Sequence, residues 1–158
     1  MDNTDINEIF DNALKDPSLL SKLDIDKLLD SLENPSNDYL ENKTLSDVTN
    51  TVYDKLKDID IEKEKIEILC NKLIGYRYVD EIFELHKGKM VRWLNLDKKN
   101  LTNGGIVVDI KFLKDGTQIL CMNTQNRFIQ YKFDNCYTFQ KMTPEEQLIL
   151  MAYENINT

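Results

Sequence analysis

The stretch GIVVDIKFLKDGTQILCMNTQNRFIQYKF, residues 105–133, decides the fold. Apolar and polar residues alternate along it with a period of two, the spacing of strands rather than helices. Lys114-Asp115-Gly116-Thr117 interrupts the alternation. Its Asp-Gly pair is the one a two-residue hairpin turn prefers, because both positions need positive φ. That turn places Phe112 opposite Ile119 and Ile110 opposite Cys121, all on a core-facing side. The next turn follows by elimination. A two-residue loop at 124–125 would drive Phe128, Gln130 and Lys132 inward and bury a lysine charge at high cost. A three-residue loop, Thr124-Gln125-Asn126, instead aligns Ile129 with Cys121 and Tyr131 with Ile119, and asparagine tolerates the left-handed backbone its last position requires.

Strands are also expected over 89–96 and 136–140, which makes five short strands and a small antiparallel barrel. The face turned away from the core carries Val107, Asp109, Lys111, Leu120, Met122, Phe128, Gln130 and Lys132. A purely solvated face has no need of this mixture of apolar and basic groups. Two readings remain open: cover by the protein's own helices, the last one among them, or a binding surface. Thr143-Pro144-Glu145-Glu146 supplies an N-cap, a proline at the first helical position and a Glu three residues after the cap. A final helix follows, with Leu148, Ile149, Ala152 and Ile156 as its apolar stripe.

N-terminal to His86 the period is that of helices. Ile6, Ile9, Phe10, Ala13 and Leu14, then Leu19, Leu20 and Leu23, then Ile25, Leu28, Leu29 and Leu32 predict short helices up to residue 33. Asn34-Pro35-Ser36-Asn37 marks a break. A second helical stretch begins near Thr44 with Leu45, Val48, Val52, Leu56 and Ile59 on one face. The pattern resumes at Ile66, Leu69, Leu73 and Ile74 and ends at Gly75. Tyr76 to His86 predicts one more short helix with Val79, Ile82 and Phe83 facing inward. The expected organisation is an acidic helical segment with linker (1–43), a helical module (44–86) and a small barrel with its C-terminal helix (87–158).

Charge divides the chain in the same place. Residues 1–69 carry 18 acids against 8 bases, and residues 70–158 carry 10 against 12. Within 86–141 there are 4 acids and 10 bases, a local charge of +6 in a chain of −8. Such a field attracts anions, whether an acidic protein segment or nucleic acid. The acidic segment 1–33 reads either as an amphipathic helix that lies in a partner's groove or as a surface hairpin docked on its own domain. An acidic N-terminus and the lack of a long apolar run predict an intracellular protein, cytoplasmic or nuclear, with no membrane span.

The sequence shows no convincing catalytic constellation. Cys70, His86, Cys121 and Cys136 lack the close pairing of zinc ligands, and an odd set of three cysteines argues for buried, reduced thiols. No metal and no cofactor is expected. A Cys/His nucleophile pair lacks supporting context. Glu145-Glu146 is explained as helix-start charge. Leu101-Thr102-Asn103-Gly104-Gly105 contains no phosphate-loop pattern, and a turn opening a strand is the simpler account.

The stretches Glu84-Leu85-His86-Lys87-Gly88-Lys89-Met90-Val91-Arg92-Trp93, Leu101-Thr102-Asn103-Gly104-Gly105-Ile106-Val107 and Phe139-Gln140-Lys141 resemble a small, poorly characterised protein family of large DNA viruses. The strand order resembles an SH3-like barrel of the Tudor or KOW type. That resemblance implies peptide or nucleic-acid binding without catalysis, in a virion or virus factory as well as in the cell, and it carries over no active site. The fold expected is therefore α+β: N-terminal helices, a five-stranded antiparallel SH3-like barrel and a C-terminal helix. The function expected is non-enzymatic binding of a partner protein, or alternatively of nucleic acid. The expected contacts are Lys89, Arg92, Trp93, Lys111, Met122, Arg127, Phe128 and Lys132, with Trp93 and Phe128 available for stacking on bases.

Overall fold

The computed structural model describes residue 40 and residues 43–156. The helices expected before residue 34 and, apart from residues 40 and 43, the linker expected at 34–43 lie outside the described residues. The chain is α+β. In order the elements are α1 (Leu45–Lys57), α2 (Lys63–Lys72), β1 (Tyr76–Val79), a 3-10 turn (Ile82–Glu84), β2 (Met90–Asn95), β3 (Asn100–Leu101), β4 (Gly105–Leu113), β5 (Gly116–Met122), β6 (Phe128–Lys132), a second 3-10 turn (Phe133–Asn135), β7 (Cys136–Lys141) and α3 (Pro144–Ile156). They fall into two compact units, one comprising residues up to Thr49 together with those from Met142 onward, the other Asn50–Lys141. The helical residues past Asn50 share a core with the sheet.

In the first unit, Leu40, Val48, Met142, Ile149 and Leu150 form a small core edged by Leu45, Leu148 and Tyr153. Both helix starts are capped reciprocally. Asp47 N–H donates to Thr44 Oγ1 and Thr44 N–H to Asp47 Oδ2, each at 3.0 Å. Glu146 N–H donates to Thr143 Oγ1 (3.1 Å) and Thr143 N–H to Glu146 Oε1 (3.2 Å). This is the capping box expected at Thr143, and it satisfies amides that have no partner within the helix. Ser46 Oγ also donates to the buried Glu154 at 2.6 Å. Ile149 and Ala152 of the expected stripe are buried, while the Ile156 side chain lies outside the described residues.

The second unit is built on one seven-stranded antiparallel sheet in the order β1-β7-β2-β4-β5-β6, with β3 added to β2. All five strands expected from the sequence are present, joined by β1 and β3. The pairing path is open, with no ladder between β6 and β1, in place of the closed five-stranded barrel. Side chains nevertheless curl it. Tyr131 on β6 hydrogen-bonds Thr138 on β7 (2.9 Å) and stacks on Trp93 of β2 with ring centroids 4.2 Å apart. The concave side holds Val79, Val91, Trp93, Val107, Ile119, Cys121, Tyr131 and Cys136. The opposite face over β1, β7 and β2 is covered by α1, α2 and the residues that follow each of them, where Val52, Leu56, Ile59, Ile66, Leu69 and Leu73 pack on Leu94 and Phe139. A side chain as buried as Leu56 contributes about 1.5–3 kcal/mol.

Four expectations are corrected. First, Tyr76–Val79 is a strand rather than a helix, because it completes the sheet along β7; a 3-10 turn follows, and Phe83 is exposed. Second, the β4–β5 register is shifted: Leu113 pairs Gly116, Phe112 pairs Thr117 and Ile110 pairs Ile119. Asp115 is not among the non-glycine residues with positive φ, and Gly116 alone supplies it (φ +122°). The loop is therefore a two-residue turn on Lys114-Asp115 closed by Gly116 at positive φ, and Phe112 projects past the core, 72% exposed. Third, Val108 is an extra residue between Val107, paired with Cys121, and Asp109, paired with Leu120. Such a bulge exchanges the two faces of a strand, and it carries Val107 into the core. Fourth, Ile74 is exposed. The β5–β6 register is as expected, with Ile129 opposite Cys121, Tyr131 opposite Ile119 and Asn126 at φ +60°.

Cys121 and Cys136 are buried, Cys70 is half-buried, and all three are free thiols. Burial pushes the Cys121 thiol up to about 12 and the Cys136 thiol up to about 11, Asp97 adding to the latter, from an ordinary 9.0. The folded chain thus holds these protons more tightly than the unfolded chain. Their contribution to stability is complete below about pH 9 and is lost as the pH climbs through the raised values. The urea midpoint is therefore expected to stay level up to about pH 9 and fall above it. A thiol reagent at neutral pH should modify Cys70 first, and Cys121 and Cys136 only as the chain unfolds.

Candidate partner-binding face

Register places the uncovered part of the outer face. Met90 pairs Ile106, Ile106 pairs Met122 and Met122 pairs Phe128. Directly paired residues share a face, so these four side chains form one apolar row across β2, β4, β5 and β6. Phe128 is 63% exposed and Ile106 42%, with Met90 and Met122 half-buried between them. Two further rows run beside it: Asp109–Leu120–Gln130 and Lys111–Gln118–Lys132. The single acid in these rows is engaged. Lys87 lies 3.3 Å from Asp109 Oδ1, and its hydrogen bond, with that from Ile110 N–H, holds the Asp109 carboxyl below the usual carboxylate range. Lys111 and Lys132 are both exposed, so the open charge on these rows is positive.

Of the eight expected contact residues, Met122, Phe128, Lys111 and Lys132 meet on this face. Lys89 is half-buried and immediately precedes the row, its carbonyl accepting Val107 N–H at 3.0 Å. Arg127 is exposed at the start of β6, where its N–H and carbonyl both bond Asn123. Arg92 shares the outer face but holds neighbouring segments together, donating from Nε to Thr102 O (2.9 Å) and from Nη1 to Lys72 O at the end of α2 (3.3 Å). Trp93 is removed from the site, because it is 5% exposed and stacked on Tyr131 in the core. Its parity with Val91 was the available signal. Met90 and Ile106 were missed, Ile106 because its place on this face follows from the bulge in β4.

The Gly104-Gly105 loop is committed to strand packing. Thr102 N–H donates to Trp93 O (2.9 Å), and a Cβ on Gly104 would lie 1.9 Å from Val91 O. Among the described residues, no group of three or more His, Cys, Asp or Glu side chains could hold a metal ion. Nor is any helix long and apolar enough to cross a membrane. Comparisons with models of known protein families, with curated proteins and with solved structures return no match.

Proposed function

We propose that this chain is a non-enzymatic intracellular interaction protein that binds an acidic, apolar-bearing segment of a partner protein on the outer face of β4, β5 and β6. The observation that carries this reading is the row Met90–Ile106–Met122–Phe128, with Lys111 and Lys132 two rows along the same face. An aligned apolar strip with a basic row further along the same face suits a segment that carries both apolar side chains and acids. The SH3-like description of the curled sheet belongs to the same proposal. Strand order β7-β2-β4-β5-β6, a 3-10 turn before β7 and the Tyr131–Thr138 bond support it. Nucleic acid is the weaker partner, because one of its two expected stacking rings, Trp93, is buried.

The test is selection of a displayed library of 12-residue peptides on the full chain, with the Met122→Ser/Phe128→Ser variant in parallel. Selected peptides should be rich in acids and apolar residues and should lose about tenfold or more in affinity for the variant. Peptides that bind both proteins equally would overturn the reading. So would salt-sensitive binding of a 20-nucleotide single-stranded DNA in preference to every selected peptide.

A further inference from the structure

β6 lies at one end of the sheet, and among the described residues no strand pairs with its second edge. The direction of its backbone groups follows from the hairpin. Asn123 N–H donates to Arg127 O (2.9 Å), so 123 and 127 form a hydrogen-bonded pair. Antiparallel pairs alternate between bonded and non-bonded. Cys121–Ile129 and Ile119–Tyr131 are then the bonded pairs, while Phe128 and Gln130 direct their N–H and C=O groups away from β5. These groups border the face described above, and an exposed edge of this kind is a template for one more strand.

The three side-chain rows state what that strand carries. Extending them by one position puts an apolar residue beside Phe128, a polar one beside Gln130 and an acid beside Lys132, whose row also holds Lys111. Between these positions, side chains facing the concave side would continue the apolar Ile129 and Tyr131. We infer that the free edge of β6 accepts an extended partner segment as an added antiparallel strand reading acidic, apolar, polar, apolar, apolar from its N-terminus. This assignment rests on the proposed partner face and specifies how the partner is held. Lys132 selects the acid, and Phe128 anchors the apolar end.

The probe is the end-capped peptide Ser-Glu-Val-Thr-Val-Leu-Ser, titrated into full-length protein labelled for amide shift measurements. The parent peptide is expected to move the Phe128 and Gln130 amides. N-methylation of its Thr, whose N–H would face Gln130, should weaken binding at least tenfold, while N-methylation of either Val should leave it within about threefold. Replacing the peptide's Glu with Lys should weaken it about three- to tenfold, as a like-charge pair directly opposite does. Gln130→Pro removes an outward N–H that β5 does not use, so it should abolish binding while the remaining β5–β6 amides keep their positions. If Gln130→Pro disturbs folding, the N-methyl series decides alone, because it leaves the protein unaltered. Equal binding of parent and Thr-methylated peptides, with Phe128→Ser still weakening both, would overturn the edge assignment and leave docking on the face. Absence of parent-peptide binding would also overturn it, whatever the display selection returns. So would a concentration-dependent dimer of the free protein that Gln130→Pro abolishes, since a second copy would then occupy the edge.

Discussion

Gly104→Ala is expected to destabilise the sheet by at least about 4 kcal/mol, in the range reserved for severe packing and backbone faults. Two costs coincide there. Gly104 has φ +79°, where an L side chain costs about 1–2 kcal/mol. A Cβ would also meet Val91 O at 1.9 Å and Val91 C at 2.9 Å, both backbone atoms of the adjoining β2, so relief requires β2 and the start of β4 to part. Gly88 isolates the first cost. It has φ +86° with nothing within 4 Å of an added Cβ, so Gly88→Ala should cost only about 1 kcal/mol. Urea unfolding followed by fluorescence of Trp93, which lies stacked in the core, measures both variants. Equal midpoints for the two would show that close strand approach is not what the glycine serves.

Removing the Glu84 carboxylate should cost about 3–5 kcal/mol, the usual result of taking one partner from a buried ion pair. Arg77 and Glu84 are 3% and 6% exposed, and Arg77 Nη1 lies 3.6 Å from Glu84 Oε1. A second Arg77 nitrogen, Nη2, donates to the Glu84 carbonyl. Glu84 Oε2 also accepts Glu81 N–H (2.8 Å), so the same side chain caps the 3-10 turn. The pair fastens the 80–89 segment to β1. In a double-mutant cycle, Arg77→Met and Glu84→Leu should each be severe alone and much milder together, with a coupling of about 2 kcal/mol or more. Additive effects would contradict this account of the pair.

The same residues explain why β1 was not legible in the sequence. Tyr76-Arg77-Tyr78-Val79 places a charge where a strand should carry an inward apolar residue, and the partner that makes that burial tolerable, Glu84, lies seven positions on. The longer strands were legible because their alternation meets a single core. Register was legible at β5–β6, where a misplaced lysine excluded the alternative. It was not legible at β4–β5, where the choice lay between turn types that both accommodate Asp-Gly. The candidate site shared these fortunes. Met122, Phe128, Lys111 and Lys132 follow from parity alone. Ile106 and Val107 depend on the Val108 bulge, which no alternation of apolar residues in Ile106-Val107-Val108 reveals. Arg92 and Trp93 were misjudged because β2 is apolar on both faces, Leu94 under the helices and Val91 and Trp93 in the curl.

Partner binding is assigned to the exposed outer face of β4, β5 and β6. Amide and methyl shift mapping of the full chain, titrated with the pool of display-selected peptides, tests it most directly. Perturbations are expected to concentrate at Ile106, Leu120, Met122, Phe128 and Gln130, with α1, α2 and α3 unmoved. Perturbations confined to the helices, with the row from Met90 to Phe128 unchanged, would contradict it.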